Sequence, residues 1–106
     1  MRALKEAQDV RNKVATETLR LQRLVQQFAA GRDVAQLEYE LAQSNVEAAN
    51  TKVQSGTGTL KEQATAQAQA NDKFAALLDI SFELDKAQMQ LLRQTNELDA
   101  WAFSGK

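Results

Sequence analysis

From Leu4 to Val53 apolar side chains return at alternating steps of three and four residues without losing phase. The series is Leu4, Ala7, Arg11, Val14, Thr18, Leu21, Val25, Phe28, Arg32, Ala35, Tyr39, Ala42, Val46, Ala49 and Val53, and all but Arg11, Thr18 and Arg32 are apolar. A 3.5-residue period sustained over about seven heptads is a coiled-coil seam, and it implies a left-handed supercoil. The chain has 106 residues and no proline, so glycines alone can break its helices. A rod of this kind buries nothing by itself and needs a partner along the seam.

The partner is downstream. The stretch Lys52-Val53-Gln54-Ser55-Gly56-Thr57-Gly58-Thr59-Leu60 is where the chain turns back. Gly56 and Gly58 can take the positive φ that ends a helix, and Ser55, Thr57 or Thr59 can cap the free N–H groups where the next begins. Glu62 stands three residues after Thr59 and completes a Thr-x-x-Glu capping box. The prediction is an all-α fold: one long antiparallel, coiled-coil-like hairpin over 1–106, with a helix over about 2–54, a tip at 55–58 and a helix over about 59–103.

The second helix carries Leu77, Leu84, Leu91 and Leu98 at heptad spacing, with Ile80, Ala87 and Trp101 between them on the same face. A leucine zipper would read this as a parallel dimer. Phe74, Leu78 and Leu92 widen the stripe, which instead describes a bundle helix with more than one neighbour. Trp101 and Phe103 are large apolar groups that fit a surface meeting something else. The hairpin is therefore expected to leave an apolar patch and to self-associate into a larger bundle.

One segment opposes a continuous first helix. Ala29-Ala30-Gly31-Arg32-Asp33-Val34 can be read as a stop at Gly31 and a new start capped by Asp33, which would give three helices. Against this, the seam keeps its phase through Phe28, Arg32, Ala35 and Tyr39, and a lone glycine costs a helix only ~1 kcal/mol relative to alanine. Register supports the hairpin as well. Folding about Gly56 and Thr57 pairs residues whose numbers add to roughly 113: Val53 with Leu60, Ala49 with Ala64, Tyr39 with Phe74, Ala35 with Leu78 and Leu21 with Leu92. Arg32 then falls opposite Ser81 and Thr18 opposite Thr95, so the polar interruptions meet.

The composition excludes several functions. Thirteen basic side chains face fourteen acidic ones, a net charge of −1, which offers no basic excess to nucleic acid or anionic lipid. With neither His nor Cys in the chain, the commonest general base, the thiol nucleophile and the soft metal ligands are missing. The carboxylate pairs Glu38 and Glu40, Glu83 and Asp85, and Glu97 and Asp99 sit two apart on a helix and point away from each other. No enzyme, cofactor or metal site is expected. The helices are amphipathic and neither is a bilayer span, and the first thirty residues contain no signal-peptide core.

Lys52 through Leu60, continued by Lys61-Glu62-Gln63-Ala64-Thr65-Ala66-Gln67-Ala68-Gln69 and ending in Leu91-Leu92-Arg93-Gln94-Thr95-Asn96-Glu97-Leu98, resembles the TolC-type outer-membrane efflux proteins. In that family the hairpin tip carries a basic residue, a glycine four positions later and an acidic residue six after the glycine. Lys52, Gly56 and Glu62 occupy those places, with Ala66 and Gln69 matching the next turn. Ser55 and Thr57 replace the family's aliphatic neighbours of the glycine.

The resemblance implies one periplasmic hairpin of a trimeric solute duct, part of a larger parent with a second hairpin and a membrane β-barrel. Nothing in this chain alternates with the period of two that barrel strands require. It implies export of solutes from periplasm to exterior, with energy supplied by an inner-membrane pump. It also implies that a periplasmic adaptor of a tripartite pump docks on the tip, at Lys52, Ser55, Gly56, Thr57, Gly58, Thr59 and Glu62. On the simpler view the two glycines serve only to make the turn. The alternative to the whole assignment is an independent coiled-coil scaffold that shares only heptads with the family.

Overall fold

The computed structural model describes the backbone of residues 2–104 and the side chains of residues 6–97. The chain is an all-α antiparallel hairpin of two helices, α1 (Arg2–Gln54) and α2 (Leu60–Ser104). α1 is continuous through Gly31, so the seam's unbroken phase prevails over the glycine. The side chains of Leu4, Leu98, Asp99, Trp101 and Phe103, on which part of the expected seam, one carboxylate pair and the terminal apolar surface depend, lie outside the described residues.

The helices form two compact units: a terminal unit (Met1–Phe28 with Glu83–Lys106) and a turn unit (Ala29–Phe82). In the terminal unit Leu21, Leu84 and Ala87 are buried, and Val14, Val25, Phe28 and Leu91 are half-buried along the same heptad positions. In the turn unit the buried residues are Ala42 and Ala70, flanked by half-buried Ala35, Tyr39, Val46, Ala49, Ala66, Leu77 and Ile80.

The 113 register appears in two contacts of the turn unit. Tyr39 and Phe74 meet with ring centroids 5.3 Å apart, and the Gln63 amide donates to the Asn50 side-chain oxygen at 2.6 Å. The level is as expected, but the facing residues are not all those the pairing named. Leu60, Ala64, Leu78 and Leu92 are exposed, while Gln63, Leu77 and Leu91 are half-buried on the inner face. A helix turns about 100° per residue, so the residue next to a seam position faces a different way.

Two further expectations are corrected. Arg32 is exposed, and the seam closes through the glycine before it: a Cβ on Gly31 would stand 3.3 Å from Ile80 Cδ1. A guanidinium inside the seam would lose its water without a partner, so the helix presents its bare backbone there. The polar interruptions also do not pair across the hairpin. Thr18 Oγ1 donates to the Val14 carbonyl and Thr95 Oγ1 to the Leu91 carbonyl, each at 2.9 Å. A helical threonine satisfies its hydroxyl on its own preceding turn and needs no partner opposite.

Candidate functional site

The turn is built from hydrogen bonds that the sequence makes almost obligatory. Gly56 has φ of 80°, a left-handed conformation that costs an L side chain roughly 1–2 kcal/mol. Its N–H donates to the Val53 carbonyl at 3.1 Å, and the Thr57 N–H donates to the Lys52 carbonyl at 2.9 Å. These two bonds around a left-handed glycine are a Schellman cap, which satisfies carbonyls that the end of α1 leaves open.

The Lys52 carbonyl collects more donors. The Gly58 N–H reaches it at 2.9 Å, Ser55 Oγ at 3.1 Å and Thr57 Oγ1 at 3.3 Å, and the two hydroxyl oxygens are 3.0 Å apart. A carbonyl has two lone pairs, so the hydroxyls share what the backbone leaves and bond each other. Thr59 then starts α2: its Oγ1 accepts from the Glu62 N–H at 3.1 Å, and its carbonyl accepts from the Gln63 N–H at 3.2 Å. Among the described residues Glu62 does not return the second bond of a capping box, but its carboxylate in the first turn of α2, like Lys52 in the last turn of α1, complements the helix dipole.

The two glycines are needed for different reasons. A Cβ on Gly56 would meet nothing within 4 Å, so its positive φ is the whole requirement. A Cβ on Gly58 would stand 2.7 Å from Lys52 Cβ, so there the requirement is space. The close backbone approach at Gly58 is thus made within the turn. Ser55, Thr57 and Thr59 are likewise engaged in it, which leaves the exposed Lys52 side chain and the open edge of Gly56.

Above the turn, two grooves run between the helices at one level of the turn unit. One is lined by Glu38, Leu41, Asn45, Gln69, Asp72 and Ala76, the other by Tyr39, Gln43, Glu47, Gln67, Asn71 and Phe74. They share no residue and lie on opposite sides of the pair. Helical spacing extends the first with Val34 and Leu37 and the second with Leu78 and Phe82, all exposed. The sequence showed the apolar width of α2 but not its direction. It also carried an unused signal in α1, where Val34, Leu37 and Leu41 recur off the seam at steps of three and four.

Among the described residues no group of acidic side chains could hold a metal ion, and no helix is long and apolar enough to cross a membrane. Among the described residues one ion pair moves a titration, and it belongs to the terminal unit. The Arg20 guanidinium bonds Glu17 and holds its carboxyl below the ordinary carboxylate range. No protein-family model, curated protein or solved structure matches the chain.

Proposed function

We propose that this chain is a wall hairpin of a TolC-type outer-membrane efflux channel, located in the periplasm, that lines a solute duct and docks an adaptor protein through its tip. The observation that carries this is the pair of apolar ridges on opposite sides of the turn unit. Val34 is 55%, Leu37 66% and Leu41 64% exposed on one side; Phe74 is 45%, Leu78 54% and Phe82 67% exposed on the other. An element of a closed wall needs a neighbour on each flank, whereas a helix pair that forms one dimer needs a single ridge.

Exposed apolar side chains on both sides of the turn unit support association. Assembly into a trimeric parent is the form this takes in the proposal. The tip contributes rigidity: a turn fixed by so many local bonds has little entropy left to lose on docking.

The test is made in the full-length parent. A photo-crosslinking side chain replacing Thr57 is expected to join the adaptor, and one replacing Leu37 to join a neighbouring hairpin of the channel, with export retained. A Leu37 cross-link without a Thr57 one would leave a duct wall whose tip is only a turn. Absence of both, or a parent reading frame lacking barrel strands and a second hairpin, would replace the proposal with the independent coiled-coil scaffold.

A further inference from the structure

We infer that the groove bearing Phe74, Leu78 and Phe82 receives a cationic amphipathic helix, and that this neighbour is not an aligned copy of the chain. The inference rests on the flank-packing half of the proposal above and not on tip docking. Glu47 and Phe74 line the same groove, one on each helix. Glu40 and Asp33 stand seven and fourteen residues before Glu47 in α1, at the same heptad position and equally exposed. Leu78 and Phe82 stand one and two turns after Phe74 in α2. Glu47 and Phe74 thus face the groove from its two helices; Glu40 and Asp33 continue the acidic line along α1, and Leu78 and Phe82 continue the apolar ridge along α2, which turns outward by about 40° at each four-residue step.

None of the three carboxylates takes part in an ion pair among the described residues. Arg32, beside Asp33, is the cation at one end of the row. A helix with apolar anchors on one stripe and lysine or arginine on the next satisfies both walls together, burying the ridge and neutralising the row. The opposite groove is a weaker version of the same pattern. There the ridge is aliphatic, and Lys73 already bridges to Glu38 at 3.1 Å.

Charge argues against an aligned copy as the occupant. Residues 29–82 contain seven carboxylates and four cations, so a copy with its turn at the same level adds acid to acid. The neighbour that fits is a different helix with a basic edge.

The probe is a fluorescein-labelled amphipathic peptide with leucine at steps of three and four and lysine along one flank, titrated with the full chain and followed by anisotropy. Its control carries glutamate in place of every lysine. Saturable binding of the lysine peptide is expected, weakening as salt rises, with the glutamate peptide at least about tenfold weaker. The triple variant Asp33→Asn, Glu40→Gln, Glu47→Gln is expected to reduce binding at least about tenfold, as is Leu78→Ser with Phe82→Ser. These positions are exposed, and circular dichroism checks that the helices persist. Equal binding of the two peptides, or binding that survives the triple variant, overturns the charge assignment while leaving the flank-packing proposal standing. No saturable binding of either peptide up to about 100 μM overturns the groove as a docking site. If sedimentation then shows self-association that the apolar-ridge variant abolishes, a second copy is the occupant and the inference is wrong.

Discussion

The terminal unit and the turn unit share one heptad seam but close it with different side chains. Leu21 and Leu84 are 3% and 2% exposed in the terminal unit, whereas the turn unit buries Ala42 and Ala70. Burying a leucine contributes about 1.5–3 kcal/mol, and an alanine methyl far less. The turn unit therefore has a thin fully buried core, with Tyr39, Leu77 and Ile80 half-buried beside it, and it leaves Phe74, Leu78 and Phe82 with Val34, Leu37 and Leu41 exposed. The charges divide similarly. Seven carboxylates and four cations fall in 29–82, leaving seven carboxylates and nine cations in the rest of the chain. Among the described residues the terminal unit also exposes Val10, Leu19, Met89 and Leu92, but the turn unit combines more such side chains with the acidic excess, which is why the interaction sites are placed there.

The largest effect is expected where that contrast is sharpest. Leu84→Ala should cost about 2–5 kcal/mol in urea unfolding followed by circular dichroism, whereas Ala70→Gly should cost about 1 kcal/mol, mostly helix propensity. Equal losses would mean the turn unit has a core that its burial does not reveal.

The turn comes next. Gly58→Ala forces a Cβ against Lys52 and should cost about 1–3 kcal/mol, while Gly56→Ala should cost about 1–2 kcal/mol through its φ alone. Asparagine tolerates the left-handed region, so Gly56→Asn should recover most of that loss and Gly58→Asn none. If asparagine rescued both positions, Gly58 would be conformational and the steric account would fail.

A smaller effect tests the approach of Gly31 to Ile80 in the turn unit. Gly31→Ala adds helix propensity but presses on Ile80 Cδ1. In an Ile80→Val background, which removes that atom, the same change should stabilise by about 0.5–1 kcal/mol. A double-mutant cycle showing no coupling between positions 31 and 80 would remove the glycine from the seam.

The smallest effects are electrostatic. Lys73→Ala, which breaks an exposed bridge, should change stability by less than about 1 kcal/mol. In the terminal unit the folded-state pKa of Glu17 is lowered, first by its hydrogen bond from Arg20. Any stability this contributes is present above the ordinary carboxylate range and is lost as pH falls through the lowered value. Arg20→Gln should return the Glu17 titration, followed by NMR, toward its ordinary range without a detectable change in unfolding, since both groups are exposed. A marked acid destabilisation caused by this single change would show that the pair matters more than its exposure allows.

Much of the architecture was legible from residues alone. The unbroken phase around Gly31 indicated one helix there, the Gly56 and Thr59 chemistry located the turn, and the 113 sum placed Tyr39 at the level of Phe74. These follow from local rules, because propensity, capping and period each act within a few residues. The roles of the tip hydroxyls were less legible. Ser55 and Thr57 read equally well as caps or as docking groups until the Lys52 carbonyl was found between them.

The sequence by itself determined that the chain is helical, where it reverses and which residues lie at one level, since these depend on backbone preferences and on counting along a helix. The tertiary structure alone decided which neighbour of each pair turns inward. It set Gly31 inside and Arg32 outside, Leu77 inside and Leu78 outside, and put Glu47 of α1 across one groove from Phe74 of α2. Those outcomes depend on how the two helices rotate about their axes as they pack, and that rotation is fixed by the fit of side chains brought together from distant parts of the chain.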